Sequence, residues 1–177
     1  MSGLAAPLHA AGIVGMSLLM LAAGSSKLRR RVGHARVIDA YALLPAGAGR
    51  WLAPLLGALE CAVGAALWLP ALLSCAAATL FALLLLYSGA IALNLLRGRR
   101  DIDCGCGGSR WHVPLSGWLL VRNALLMLVA LALFAAPGTL PHGARDWLAA
   151  LAIAGLAALA YNGLGFLLAR DALLQDD

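Results

Sequence analysis

Residues 97–112 read RGRRDIDCGCGGSRWH and separate two long apolar runs, Ala71–Leu96 and Leu115–Ala136. This polar stretch holds two of the four cysteines of the chain, Cys104 and Cys106, one glycine apart. Apolar runs of about 20 residues are typical of membrane-spanning helices. The stretch is therefore predicted to be a loop at the edge of a membrane, and any chemistry of the two thiols is expected to occur there.

The composition of the chain excludes an ordinary soluble domain. Of the 177 residues, 63% are hydrophobic and 12% are charged, whereas soluble proteins are about half apolar and about a quarter charged. The formal net charge of +5 comes from short basic blocks between apolar runs, which is typical of multi-pass membrane proteins rather than of nucleic-acid-binding surfaces. We predict an all-α, polytopic membrane helical bundle, one integral membrane domain over residues 1–177, with the lipid bilayer and not nucleic acid as its surroundings.

Five stretches have the length and apolarity that a spanning helix needs. They predict four core transmembrane helices plus a fifth, at residues 4–24, 51–69, 71–96, 115–136 and 147–169. Pro70 stands between the second and third stretches, so these two helices are predicted to form a tight hairpin. Residues 25–50 are predicted to be a polar loop.

The basic residues are divided unequally between the two predicted sides of the membrane. Residues 25–50, the cysteine stretch and the C-terminal tail share one side and hold 11 of the 13 Lys and Arg residues. Because Lys and Arg are enriched in cytoplasmic loops, the sequence predicts that the cysteine stretch is cytoplasmic.

Cys104 and Cys106 form a Cys-Gly-Cys pair that suits redox exchange. A disulfide over one intervening residue closes a small ring, and strain in such a ring makes the bond easier to reduce. The surrounding arginines favour the reactive thiolate, although Asp101 and Asp103 oppose this effect. Two unremarkable loop cysteines, or a soft-metal site with His112 as a further ligand, remain the alternatives.

The other two cysteines, Cys61 and Cys75, are predicted to be small buried side chains, too far apart for a disulfide.

Glu60 lies at the centre of the second predicted helix, where an ionisable side chain costs at least about 2.5 kcal/mol and usually has a partner inside the bundle. Arg122 lies at a similar depth in the fourth helix, by helix rise. We expect Glu60 to pair with Arg122, or to share a polar cluster with it, Asn123 and Asn94. A structural tie between helices and a role in proton transfer or quinone chemistry are both open.

Several motifs resemble one known family. The runs LNLLRGRRDIDCGCGG (93–108) and WLLVRNALLMLVA (118–130) are similar to the signature of the methylamine-utilisation protein MauE family, in the DoxX-like group of small membrane proteins. Lys27, YALLP (41–45) and PLLGALECAVGAALWL (54–69) also resemble that family. The resemblance covers roughly residues 24–133.

The resemblance implies an inner-membrane protein that helps to mature the small subunit of methylamine dehydrogenase, a periplasmic protein with many disulfides and a tryptophan-derived quinone. It implies disulfide formation or isomerisation with a thioredoxin-like, MauD-like partner, which makes the chain a candidate thiol–disulfide oxidoreductase. No metal is predicted as a cofactor of the chain. The candidate cofactor is a membrane quinone. The site residues that the resemblance implies are Cys104 and Cys106 as the catalytic pair, with Lys27, Glu60, Arg97, Arg122 and Asn123 in support.

The charge-based orientation and the resemblance disagree, because the implied client lies outside the cytoplasm. Three resolutions are open. The cysteine stretch faces outward despite its charges, the cysteine pair passes electrons across the membrane, or the pair serves a cytoplasmic partner. Two rival functions also remain open: a copper or mercury carrier that uses the same thiols, and a non-catalytic membrane assembly factor.

Overall fold

The computed structural model describes residues 5–102, 115–135, 143–144 and 147–156, and within these ranges the protein contains helices and no strands. The all-α prediction is confirmed for this part of the chain. The helices are α1 (Ala5–Arg29), α2 (Arg31–Ala40), α3 (Gly49–Ala66), α4 (Leu73–Leu96), α5 (Gly117–Ala135) and α6 (Trp147–Leu156).

Four of these helices enclose the main apolar core. α1 packs along α3 and α4 packs along α5, while contacts between α1 and α5 and between α3 and α4 close the ring. Each helix contributes buried side chains to the centre, among them Ile13, Val63, Leu80 and Leu133. Close packing of these side chains against one another is what holds the four helices together, because lipid tails are as apolar as the side chains themselves.

Glycines allow α1 and α3 to cross at very short range. A Cβ atom on Gly24 would lie 2.5 Å from the carbonyl oxygen of Gly57 and 2.7 Å from Cys61 Sγ. A Cβ atom on Gly64 would lie 3.0 Å from Leu21 Cγ. Small residues at such positions let helix backbones approach closely, and the pairing of early with late residues shows that α1 and α3 are antiparallel.

Three helices of the described ranges are long and apolar enough to cross a membrane: α1, α4 and α5. The prediction of four core spans plus a fifth is therefore confirmed for three helices and not for the full number. Arg50 and Glu60 lower the hydropathy of the 18-residue α3, and α6 is described over ten residues.

The first helix is longer than predicted, and the segment predicted as the first loop contains a helix. α1 extends to Arg29 rather than ending at Gly24, which places Lys27 inside the helix, and the predicted loop contains α2. The reason is tertiary, since Lys27 has a buried partner on α3 and α2 packs against the start of α3.

The predicted hairpin of the second and third helices is confirmed, but residues 67–72 connect them rather than Pro70 alone. α3 ends at Ala66 and α4 begins at Leu73, with a turn between them. Cys75 lies in the first turn of α4 and is exposed, so the prediction that it is buried is wrong. Cys61 is half-buried against α1, and both cysteines are free thiols.

Candidate functional site

The side chain of Glu60 is bound by two other helices in the interior of the bundle. Lys27 Nζ of α1 lies 2.8 Å from both carboxylate oxygens. The hydroxyl of Tyr87 on α4 donates a hydrogen bond of 2.6 Å to Glu60 Oε1. The ammonium also lies 5.5 Å from the centroid of the Tyr87 ring, in a cation–π position.

This Lys27–Glu60–Tyr87 cluster is buried, and its charges compensate each other. The side chain of Glu60 is 1% exposed and that of Lys27 is 12% exposed. Gly57 makes room for the contact, because a Cβ atom there would lie 3.0 Å from Lys27 Cβ. A buried carboxylate with a bidentate cation and a hydroxyl donor is fully hydrogen-bonded, so the arrangement offsets much of the cost of placing the charge inside the bundle.

The expected direct pairing of Glu60 with Arg122 is wrong. Arg122 Nη2 and Nε lie 3.1 and 3.4 Å from Asn123 Oδ1, and Asn123 Nδ2 donates to Ser88 Oγ at 3.2 Å. The reason is which helices are neighbours: among the described helices α3 packs against α1, α2 and α4, and not against α5, which carries Arg122.

Two polar clusters therefore meet at one turn of α4. Tyr87 faces α1 and α3, whereas its chain neighbour Ser88 bonds to α5. Sequence reasoning missed both residues, although a tyrosine and a serine side by side in a long apolar helix are a signal of interior polar contacts.

Asn94 belongs to a third set of contacts, at the end of α4. Its amide nitrogen donates to the carbonyl of Ala90 at 3.0 Å, and its amide oxygen lies 3.3 Å from Arg99 Nη1. Arg97, at the C-terminal cap of α4, is exposed. Of the predicted supporting residues, the structure thus joins Lys27 to Glu60 and Arg122 to Asn123, in separate clusters.

Arg99, which sequence reasoning did not select, ties the start of the cysteine stretch to α2. Its guanidinium donates to the carbonyl oxygens of Ala40 at 2.9 Å and Tyr41 at 3.3 Å. These are terminal carbonyls of α2, which a cation stabilises both by hydrogen bonds and through the helix dipole.

The two ends of the cysteine stretch are held together at its base. The amide of Leu115 donates to the carbonyl of Arg100 at 3.1 Å. Leu115 is buried with Ile91 and Leu119, and Ile102 packs against this group. Cys104 and Cys106 belong to residues 103–114, outside the described residues, so the prediction that they form the catalytic pair stays a prediction.

Positive charge is concentrated at the same end of the bundle as this base. Every Lys and Arg of the described ranges except Arg122 lies near the end of α1, on α2, at the start of α3 or just after α4. Among the described residues, the acids at this end are Asp39, which accepts a hydrogen bond from the amide of Gly49, and the exposed Asp101.

Comparison with known proteins gives the family. The family model for methylamine utilisation protein MauE matches residues 5–136. The chain belongs to the MauE family. The resemblance inferred from the sequence motifs is thereby confirmed, and the match includes α1 to α5, the polar clusters and the cysteine stretch.

Curated relatives agree with this assignment. The methylamine utilization protein MauE of Paracoccus denitrificans is 39% identical over 139 residues, which cover 76% of this chain and 75% of the relative. The MauE protein of Methylorubrum extorquens is 36% identical over 152 residues, covering 85% and 81% respectively. No solved structure matches the chain significantly. Membership connects the chain with methylamine utilisation and with a family of membrane proteins.

Proposed function

We propose that this MauE-family protein is a membrane thiol–disulfide exchange protein that assists maturation of a periplasmic or secreted client in methylamine utilisation. The client that we propose, as the resemblance implies, is the small subunit of methylamine dehydrogenase. The observation that carries the proposal is the closed base of the cysteine stretch, where Arg100 bonds to Leu115 and Arg99 bonds to α2. A stretch held at both ends can present a thiol pair to another protein.

In the oxidising direction, Cys104 and Cys106 begin as a disulfide. A thiolate of the client attacks one sulfur and forms a mixed disulfide, while the other cysteine leaves as a thiolate. A second client thiolate then attacks the mixed disulfide, so that the client leaves with a disulfide and the pair is left as a dithiol. A disulfide of a thioredoxin-like, MauD-like partner takes the two electrons by the same exchange and restores the pair.

The polar clusters have supporting roles in this proposal. Lys27 and Glu60 fix α1 against α3, and Arg122 with Asn123 fixes α5, which follows the cysteine stretch directly. Asn94 and Arg97 belong to the helix end that leads into it. If a membrane quinone is the final acceptor, the dithiol becomes a disulfide while the quinone takes two electrons and two protons to become a quinol.

We place the protein in the inner membrane, with α3 and a helix that includes α6 as the further spans of a bundle of four core helices plus a fifth. The 11 to 1 distribution of loop and tail basic residues favours a cytoplasmic basic end. In that orientation the Cys104–Cys106 pair is cytoplasmic and passes electrons across the membrane. In the opposite orientation the pair lies on the outer side and exchanges with the client directly.

The test combines labelling with client maturation. In a Cys61→Ala, Cys75→Ala background, an impermeant maleimide should label Cys104 and Cys106 in intact cells only after reduction, if an oxidised pair lies outside. Labelling only after permeabilisation would place the pair inside. In either orientation, Cys104→Ser or Cys106→Ser should abolish formation of the client's disulfides, while the Cys75→Ala control retains it.

Two results would contradict thiol–disulfide exchange and favour one of the two rival functions. Intact client maturation in both serine variants would indicate a non-catalytic assembly factor. Stoichiometric binding of Cu(I) or Hg(II) that survives competing thiols would indicate a soft-metal carrier.

A further inference from the structure

α2 is fixed against the first turn of α3 by direct backbone contact. A Cβ atom on Gly49 would overlap the carbonyl oxygen of Ala35, so only glycine allows this approach. The amide of Gly49 also donates to Asp39 Oδ1 at 2.9 Å. Asp39 thereby caps the start of α3, where a carboxylate is favourable.

This contact places the backbones of two arginines close together at the corner between the helices. Arg36 directly follows Ala35 and Arg50 directly follows Gly49, so their backbones are near neighbours, and both side chains are exposed. Within the part of the chain that the structure describes, neither arginine forms an ion pair. The corner therefore presents two exposed guanidinium groups, while the carboxylate of Asp39 at the same corner is bonded to the amide of Gly49.

An exposed tryptophan completes the corner. Trp51 is 72% exposed, and the guanidinium of Arg50 lies 5.3 Å from the centroid of its ring. Trp51 lies in the first turn of α3, at the level where this helix leaves the basic end of the bundle. Tryptophan at the end of a membrane helix prefers the depth of the lipid headgroups, because its ring is apolar and its N–H is polar.

We propose that Arg36, Arg50 and Trp51 form a binding site for the headgroup of an anionic phospholipid. Guanidinium groups match phosphate oxygens in charge and in the geometry of their donors. Trp51 would lie beside the glycerol and the first carbons of the acyl chain. A zwitterionic lipid offers the same phosphate but adds a cation, so it fits a pair of arginines less well.

The surroundings of the corner favour a lipid over an acidic protein. Large apolar side chains are exposed among the arginines of the same end, including Val32, Leu44 and Leu96. In a bilayer these side chains lie at the boundary between headgroups and hydrocarbon, where burying apolar surface and pairing basic residues with anionic lipids act together.

The first experiment measures lipid binding to the full-length chain in detergent by native mass spectrometry. Phosphatidylglycerol and phosphatidylcholine with the same acyl chains are titrated in parallel. The protein should prefer phosphatidylglycerol, and Arg36→Gln with Arg50→Gln should lower that affinity about twenty-five-fold, from about fivefold for each arginine. Binding of phosphatidylcholine should change by less than about twofold.

Arg29→Gln with Arg30→Gln is the matched control, because it removes the same charge from the same end of the bundle and both residues are exposed. It should lower the affinity for phosphatidylglycerol much less than the corner variant does. Equal losses in the two double variants would overturn the site in favour of diffuse attraction, as would no loss in the corner variant.

A second measurement leaves both arginines in place. Phosphatidylglycerol brominated near the glycerol should quench the tryptophan fluorescence of the unaltered protein, and Trp51→Phe should remove a large part of that quenching. The brominated phosphatidylcholine should show a smaller difference between the two proteins. Equal quenching with and without Trp51 would overturn the proposal. The proposal would also be overturned if the Arg36→Gln, Arg50→Gln variant lost binding to an acidic thioredoxin-like protein but kept its affinity for phosphatidylglycerol.

Discussion

Lys27 and Glu60 lie 33 residues apart in the chain, and their side chains form a bidentate ion pair with both N–O distances at 2.8 Å. The pair joins α1 to α3 at the point where glycines bring these helices together. Tyr87 adds a third helix to the same carboxylate. The first three predictions rest on this ion pair, because it is the main charged contact inside the described bundle.

Removing one partner of the ion pair should destabilise the bundle strongly. Lys27→Met leaves the buried carboxylate without its cation, and a loss of about 3–5 kcal/mol is expected for a single-sided change. Unfolding in mixed micelles measures it. The double variant Lys27→Met, Glu60→Leu should recover most of the loss, because an apolar pair of similar volume needs no charge compensation. Full stability of Lys27→Met would contradict the role of the pair.

The same double variant separates a structural tie from a chemical role. If the cluster only joins the helices, the stable double variant should mature the client normally. If Glu60 takes part in proton transfer, the variant should be stable and inactive. Client disulfide content, measured beside the unfolding curve, distinguishes the two cases.

The energetic coupling of Glu60 should be larger to Lys27 than to Arg122. Residues in one ion-pair network show interaction energies of about 0.5–3 kcal/mol in double-mutant cycles. Cycles of Glu60→Gln with Lys27→Gln and with Arg122→Gln should therefore give clearly different values. Equal coupling in both cycles would show that the two clusters act as one unit.

Gly57→Ala should disrupt the α1–α3 crossing. The added methyl group would lie 3.0 Å from both the Gly24 carbonyl oxygen and Lys27 Cβ, and overpacking of this kind costs about 1–3 kcal/mol. Gly15→Ala is the control, because nothing lies within 4 Å of a Cβ atom there. It should be neutral or slightly stabilising, since alanine favours the helix. Similar melting temperatures for the two variants would count against a glycine-dependent crossing.

Arg99→Gln should loosen both the end of α2 and the base of the cysteine stretch. Its guanidinium donates to two carbonyl oxygens there, and a hydrogen bond to a charged group contributes about 1.5–3 kcal/mol. Hydrogen exchange should rise in residues 37–42, and maleimide should react with reduced Cys104 and Cys106 at a changed rate. Arg100→Gln removes the same charge from an exposed side chain, so it should leave hydrogen exchange in residues 37–42 unchanged and alter the maleimide rate less than Arg99→Gln does. A matching response in the Arg100 variant would indicate a general charge effect.

The helical class and most of the helix positions were predictable from local features. Apolar runs of sufficient length predict α4 and α5 because hydrogen bonds within a helix satisfy the backbone in lipid. The cost of a buried carboxylate likewise predicted that Glu60 has a partner. The family was also evident from residues around the cysteine stretch, where several unusual residues occur in order.

What the sequence by itself determined about this protein is its all-helical class, its family and the need for a cation near Glu60. Only the tertiary structure decided which cation this is. Hydropathy and helix rise measure depth along each helix, but they carry no information about which helices are neighbours. The neighbours are decided by close packing. Glycines at the α1–α3 crossing bring Lys27 to Glu60. Arg122 lies on α5, which packs along α4, and its guanidinium bonds to Asn123 instead.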